Sequence, residues 1–180
     1  MDYSKAKVGC KFCLGGTMKI KTLLLSLALS STAVSANGLH LSPELKLGDF
    51  HGFGIQVGAS DIASLDALYF SYSETWYKRS SYDETINTYR LGMQQLLGAS
   101  KKHGFQAEIG LADYDGERTT NSGIESKSAT GLSLGGAYVY QATENIGLRA
   151  GLDFNFFDHN KTFEFYDTTA NLNLGVNFSF

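Results

Sequence analysis

Hydrophobic and polar residues alternate strictly along several stretches of the chain. From Ile146 to Phe156 every even position is apolar, whereas every odd position is Gly, Arg, Asp or Asn. Residues 172–180 repeat the pattern, with Leu, Val and Phe against Asn, Gly and Ser. A period of two places alternate side chains on opposite faces of a β-strand. The pattern therefore predicts an all-β protein.

Seven alternating segments are separated by connections of two kinds. Short connections are expected near residues 60–64, 98–103 and 141–145, and long polar ones at 75–85, 115–127 and 157–168. The two kinds follow each other in turn along the chain. Short turns at one end and longer loops at the other are typical of an antiparallel up-and-down transmembrane β-barrel, which has an even number of strands. An eight-stranded barrel is therefore expected.

The composition agrees with a membrane barrel and excludes two other classes. Charged residues make up 18% of the 180-residue chain and aromatic residues 13%. A disordered chain would be richer in charge and poorer in aromatic residues. No apolar run reaches the roughly 20 residues that a membrane-spanning helix needs.

Residues 18–36 have the three regions of a secretory signal peptide. Lys19 and Lys21 form a positive start, residues 23–29 form a short apolar run, and small residues precede a cleavage site after Ala36. Residues 1–17 are then expected to be a non-native upstream extension. Cys10 and Cys13 lie in it as a C-x-x-C pair without a second ligand pair.

The mature part, residues 37–180, is expected to be a single barrel domain. It holds 10 Lys and Arg against 17 Asp and Glu, a net charge of −7, and no cysteine. A negative net charge argues against a nucleic-acid partner.

The eighth strand is expected at the start of the mature part, within residues 39–47 and before a tight turn at Gly48 and Asp49. Pro43 cannot donate a ladder hydrogen bond, so this strand is expected to be short, broken or to begin after the proline. An alternative eighth strand at residues 162–167 ranks second, because it would place the long loops on the periplasmic side.

Two features predict that the apolar face meets lipid. The other face is rich in Gly and small polar residues, which suit the narrow interior of an eight-stranded barrel. Aromatic residues of the apolar face collect near both strand ends, as in the aromatic belts of membrane proteins. The expected outer belt holds Tyr72, Trp76, Tyr89, Phe154 and Phe156, and the periplasmic belt holds Phe105, Tyr138, Tyr140, Phe178 and Phe180.

The C-terminal segment resembles a known signature. Its ending, Leu172-x-Leu174-x-Val176-x-Phe178-x-Phe180, resembles the C-terminal strand of bacterial outer-membrane proteins, and the layout of residues 37–180 is similar to the small barrels of the OmpA/OmpX type. The resemblance implies a place in the outer membrane of a Gram-negative bacterium. It also implies recognition of Phe178 and Phe180 by the barrel-assembly machinery.

Four charged residues fall on the inward face, namely Arg90, Glu108, Arg149 and Asp153. Counting along the strands places Glu108 and Arg149 at similar depth in the periplasmic half, and Arg90 and Asp153 at similar depth nearer the outside. Because an unpaired buried charge costs several kcal/mol, we expect two ion pairs or one network of four. Their expected role is to fill and register a narrow barrel, and a gated path for ions is the alternative.

Catalysis and metal binding have little support in the sequence. Some small outer-membrane barrels modify lipid A with a His, a Ser and an acid, and His159 lies in an expected outer loop but has no adjacent serine. Asp113, Asp115 and Glu117 alternate in an expected loop without the glycine and distal Glu of a calcium loop. No catalytic, cofactor or metal residue is assigned.

The sequence thus predicts a non-enzymatic, monomeric outer-membrane barrel with a structural or surface-interaction role, in contact with outer-membrane lipids and lipopolysaccharide. A narrow porin-like channel for ions or very small solutes is the alternative, and a lipid A-modifying enzyme is a more distant one.

Overall fold

The computed structural model describes residues 38–62, 64–164 and 167–180. In this part of the chain eight antiparallel strands follow each other around a closed barrel, and the last pairs with the first. The fold predicted from the alternation is confirmed. The strands are β1 (Gly38–Gly48), β2 (His51–Ile62), β3 (Leu65–Arg79), β4 (Tyr82–Leu97), β5 (His103–Thr120), β6 (Gly123–Gln141), β7 (Ile146–Phe156) and β8 (Thr168–Ser179). The predicted leader, residues 1–36 with Cys10 and Cys13, lies outside the described residues.

The first strand is longer than predicted. β1 runs for 11 residues through Pro43, which lies opposite Ile55 in an unbroken ladder with β2. On the other side, the ladder with β8 has no bridge at Ser42 or Pro43. Since proline has no N–H to donate, a backbone hydrogen bond is missing only between β1 and β8. The expectation of a short or broken first strand is therefore wrong.

The alternative position for the eighth strand is also wrong. Of residues 162–167, those that the structure describes are not in a strand, and residues 159–161 form a short 3-10 helix. β8 begins only at Thr168. The tight turn predicted at Gly48 and Asp49 is present, since only Asp49 and Phe50 separate β1 from β2.

Two of the three expected long loops are strands. The β3–β4 ladder continues to the pair Arg79–Tyr82, and the β5–β6 ladder continues to Thr120–Gly123. Each hairpin therefore turns through two residues only, and the expectation of long loops at residues 75–85 and 115–127 is wrong. The polar residues there mark the place where the strands leave the lipid. Only the β7–β8 connection is a long loop.

The two faces of the barrel wall have opposite chemistry. Leu91, Ile109 and Leu111 point outward and are 57–65% exposed, whereas charged and amide side chains fill the interior. A soluble barrel would show the reverse arrangement, so the outward apolar belt is the surface that meets lipid. No helix in the described residues is long and apolar enough to cross a membrane.

The two ends of the barrel differ in height. The end that carries Gly38 and Ser179 is termed the periplasmic end, and the opposite end the outer end. On β4 and β5 the outward apolar belt ends at Tyr89 and Leu111. Above these two residues the outward side chains are polar, so that β3–β6 project beyond the lipid belt at the outer end.

Candidate functional site

Six charged side chains meet in the middle of the lumen, and each is at most 5% exposed. Acidic and basic residues alternate around a closed ring that carries no net charge. We call this set the ionic ring. In order, its members are Glu44, Lys46, Asp153, Arg90, Glu108 and Arg149, which returns to Glu44.

The ring is closed by direct contacts between charged atoms. Nζ of Lys46 lies 2.7 Å from Oε1 of Glu44 and also contacts Asp153. The Arg90 guanidinium lies 3.1 Å from Asp153 and 3.2 Å from Glu108. Arg149 lies 3.5 Å from Glu108 and contacts Glu44. Each charge therefore has two neighbours of opposite sign.

All four interior charges named from the sequence lie in the ring. The pairs expected to be at similar depth, Glu108 with Arg149 and Arg90 with Asp153, are in contact. The sequence reasoning missed Glu44 and Lys46. Their spacing of two residues placed both on one face, but β1 was expected to break at Pro43, so its inward face was not counted.

Hydroxyl and amide groups add hydrogen bonds to the ring, and among the described residues only Oε1 of Glu44 and Nε of Arg149 in the ring have no hydrogen-bond partner. Arg90 donates through Nε to the Ser133 hydroxyl at 2.6 Å, and Arg149 donates to Oδ1 of Asn173 at 3.2 Å. Glu108 accepts from Nε2 of Gln56 at 2.5 Å. Such bonds are needed because the attraction within a buried ion pair only offsets its loss of water when the remaining polar atoms are also satisfied.

An amide layer lies between the ring and the periplasmic end. Oε1 of Gln94 accepts hydrogen bonds from Gln106 and Asn177, both at 2.8 Å, and Asn177 accepts one from the Ser42 hydroxyl at 2.7 Å. Below it, a cavity of about 450 Å³ opens at the periplasmic end, with Gln94, Ser60 and Ser179 among its lining residues. The lumen is thus mainly polar from the periplasmic end to the ring, with Ala67 and Val139 among its buried apolar residues.

An apolar cluster closes the other end of the lumen, and we call it the outer plug. Its members are at most 6% exposed, and the rings of Tyr114 and Phe157 lie 5.8 Å apart. Phe50, from the turn between β1 and β2, also packs against Tyr77. Together the plug consists of Phe50, Ile86, Ala112, Tyr114 and Phe157.

Two acidic residues lie above the plug, outside the lipid belt. Glu84 is 2% exposed, and burial raises its pKa, although a hydrogen bond from the Tyr114 hydroxyl offsets part of the rise. Burial also raises the pKa of Glu164, and the charges of Glu84 and Asp49 raise it further.

The remaining candidates from the sequence lie at the outer end. His159 contacts Asp167 at 2.6 Å, which lowers the pKa of that carboxyl, and no serine in the described residues bonds to His159. Asp113, Asp115 and Glu117 lie on the outward face of β5, not in a loop. No group of three or more His, Cys, Asp or Glu in the described residues is placed to hold a metal ion.

Phe178 and Phe180 lie at the periplasmic end of the β1–β8 seam. Their rings stack 6.3 Å apart, and Phe180 is 67% exposed. The backbone of Phe180 exchanges two hydrogen bonds with Leu39. Both rings are therefore held on the closing strand pair, and their recognition during assembly stays a prediction.

A closed barrel of eight strands with an outward apolar belt and a filled polar lumen is the architecture of the small barrels of bacterial outer membranes, and this is the class of the protein. No protein-family model and no curated protein matches its sequence.

Solved structures of this class share the fold of the chain and resemble it weakly in sequence. The N-terminal barrel of Pseudomonas aeruginosa OprF is 16% identical over 81% of this chain and 98% of its own, with a TM-score of 0.57. Ail, the attachment invasion locus protein of Yersinia pestis, is 13% identical over 79% and 97%, with a TM-score of 0.62. Neisserial surface protein A is 18% identical over 79% and 96%, with a TM-score of 0.53.

Proposed function

We propose that the protein is a non-enzymatic barrel of the Gram-negative outer membrane with a structural or surface-interaction role. It acts as a monomer, surrounded by lipopolysaccharide and outer-membrane lipids. The observation that carries the proposal is the filled lumen. The ionic ring occupies its middle and the outer plug its outer end, so the side chains of the described residues fill the route that solutes would take.

The projecting part of β3–β6 supports a surface role. It stands above the lipid belt, where its side chains are available to sugars, phosphates or proteins outside the cell. Two proteins of similar fold carry surface roles in their names, an attachment invasion locus protein and a neisserial surface protein. We extend only the general idea of a surface role to this chain.

A planar-bilayer recording of the full chain tests the filled lumen. We expect no steady conductance from the wild type, and none from Arg149→Ala, because the outer plug remains in that variant. A steady current through the wild-type protein would contradict the proposal and favour the narrow channel.

Two further measurements test the location and the lack of catalysis. The protein of the outer-membrane fraction should migrate differently in SDS gels before and after boiling, since folded barrels of this class resist SDS. The acyl-chain mass of lipid A should be the same with and without the gene. A soluble, unshifted protein would overturn the location, and a changed lipid A mass would establish the enzyme.

A narrow channel is the second candidate function. The cavity at the periplasmic end and the polar lining above it favour this reading, because they lead from the periplasm as far as the ring. Such a channel would require the outer plug to open.

A further inference from the structure

Residues 157–164, which follow β7, cross the mouth of the barrel at the outer end. In the ring of eight strands β4 lies four strands from β8 in either direction, so it stands on the opposite wall. Nevertheless the ring of Phe163 packs edge-on against Tyr82 of β4, with centroids 6.0 Å apart. We call residues 157–164 the outer lid.

Three kinds of contact hold the outer lid down. Phe157 at its start is part of the plug. Nζ of Lys127, from β6, donates to the Thr162 carbonyl at 2.6 Å and lies 5.0 Å from the centre of the Phe163 ring. The backbone N–H of Phe163 donates to the Tyr114 hydroxyl at 3.1 Å. Lys127 and Tyr114 thus hold the middle of the lid by hydrogen bonds, in addition to the ring contact between Tyr82 and Phe163.

A buried acid lies beneath these contacts. The Tyr114 hydroxyl that accepts from the lid donates its own proton to Glu84 at 2.5 Å. In the described part of the chain no Lys, Arg or His forms an ion pair with Glu84. Each acid of the ionic ring contacts two cations. Glu84 differs from these acids, because it is a buried carboxyl that contacts no cation in the described part of the chain.

Lys127 is within reach of Glu84 if it leaves the lid. Glu84 lies opposite Gly116, and Gly116 lies opposite Lys127, so the two residues share one row across three strands. Two strand spacings separate their backbones by about 10 Å, a distance that extended Lys and Glu side chains together cover. Gly116 carries no side chain, but the end of the Tyr114 ring lies over it. Lys127 therefore reaches Glu84 only by displacing the Tyr114 hydroxyl, which also holds the lid. The Lys127 ammonium can therefore bind either the Thr162 carbonyl or the Glu84 carboxylate.

We propose that residues 157–164 form a pH-operated lid, closed while Glu84 is protonated and opened when the ionised Glu84 draws Lys127 away from Thr162. Opening exposes the outer plug to the cell exterior. The proposal goes beyond the role of the barrel as a surface protein, because it gives the outer end two states.

Of the other charged groups around the lid, the acidic ones also favour the open state. The basic ones lie outside the row that Glu84 shares with Lys127. Glu164 on the lid and Asp49 in the β1–β2 turn add negative charge when they ionise, which further disfavours the closed state. Arg118 lies two residues farther out along β5 than Gly116, with its guanidinium 5.4 Å from the centre of the Tyr82 ring. Arg79 lies in the same row as Arg118, opposite Tyr82.

The direction of the pH effect follows from burial. In the closed state the pKa of Glu84 lies above its ordinary value of 4.5. The closed state therefore binds the proton more tightly than the open state does. Closure is complete below the ordinary pKa of a glutamate and is lost as the pH rises through the raised value.

Cysteine labelling of the full chain tests the lid. Cys10 and Cys13 are first replaced by Ser, and Ala112→Cys then places a single thiol within the plug, where Ala112 is 0% exposed. Ser128→Cys, on the outward face of β6, reports the change in thiol reactivity with pH alone. The measured quantity is the ratio of the two labelling rates with a charged methanethiosulfonate.

In the otherwise unchanged protein the ratio should rise as the pH is raised, by about tenfold for each unit by which closure raises the pKa of Glu84. Glu84→Gln should keep the ratio low and independent of pH. Lys127→Gln should give a high ratio already at acid pH, because the lid loses its bond to Lys127.

Asp83→Asn is the matched control, since it removes a carboxyl from the neighbouring position on the outward face of β4. In this variant the labelling ratio should still rise with pH. A ratio that does not change with pH overturns the proposal, and so does a rise that persists in Glu84→Gln. The SDS mobility shift confirms that each variant is folded.

Discussion

The ionic ring and the outer plug fill the same lumen in two different ways. The ring is built from charges on β1, β4, β5 and β7, and each of its contacts depends on the strand register. The plug is built from apolar side chains, of which Phe50 and Phe157 come from connections. The comparison shows that polar filling is used where paired strands enclose the lumen on all sides, and apolar filling where connections fold inward over the end.

The two fillings should also fail in different ways. Truncating one member of the ring leaves a buried charge without its partner. Truncating one member of the plug leaves a cavity that neighbouring side chains partly fill. The predictions below use this difference, and all are measured as the free energy of unfolding of the full chain in detergent micelles by urea titration.

The largest effect is expected from Arg149→Ala. Arg149 contacts Glu44 and Glu108 and donates to Asn173, so its loss leaves each of two buried acids with a single cation and the ring with a net negative charge. We expect a loss of about 3 to 5 kcal/mol. Lys102→Ala, in an exposed turn, is the control and should change the stability by less than about 0.5 kcal/mol. Equal effects of the two substitutions would contradict the role of the ring.

A balanced pair of substitutions sharpens this test. Lys46→Met and Asp153→Asn each unbalance the ring, but together they remove one charge of each sign from a contacting pair. The double variant should be more stable than the sum of the single losses predicts, by about 1 to 3 kcal/mol. Additive losses would mean that the ring does not act as a unit.

Phe157→Ala should cost about 3 kcal/mol, because it empties part of the plug. The conservative change Phe157→Leu should cost less than about 1.5 kcal/mol, since apolar packing tolerates a change of shape. Arg149→Lys is the matched substitution in the ring. It should cost more than Phe157→Leu, because an ammonium cannot reproduce the contacts of a guanidinium. If Phe157→Leu cost more stability than Arg149→Lys, the outer plug would not tolerate conservative changes better than the ionic ring, and the comparison would fail.

The smallest effect is expected at the exposed ion pair of the β3–β4 hairpin. Nζ of Lys78 lies 3.0 Å from Asp83, and the two side chains are 68% and 55% exposed. Lys78→Ala should cost no more than about 0.5 kcal/mol, and added salt should abolish the difference. A larger loss of stability that does not depend on salt would contradict this expectation. It would mean that the difference in burial does not explain why the ring pairs matter more than this exposed pair.

The alternation of residues predicted the barrel, its inward face and four of the six ring charges. It predicted them because each lipid-facing residue must be apolar, which leaves a clear period of two. The same logic explains the errors in the outer hairpins. Above Tyr89 and Leu111 the outward side chains meet water and are polar, whereas the inward ones are a mixture of apolar plug residues and polar residues. The period therefore disappears although the ladders continue.

Pro43 and the plug needed three-dimensional information. A proline interrupts hydrogen bonding toward one neighbouring strand only, and the sequence does not say which neighbour that is. The outer plug combines inward residues of strands, such as Ile86, with Phe157 from a loop. No local period links such residues, because they meet only after the chain has folded over the mouth.

The closed shape of the ionic ring has an evolutionary consequence. Since every acid touches two bases and every base two acids, a neutral or inverted residue at any one position disturbs two partners on other strands. Glu44 and Lys46 on β1, for example, are bound to Arg149 and Asp153 on β7. Changes in the ring should therefore be inherited as compensating pairs, and strands far apart in the gene are expected to vary together.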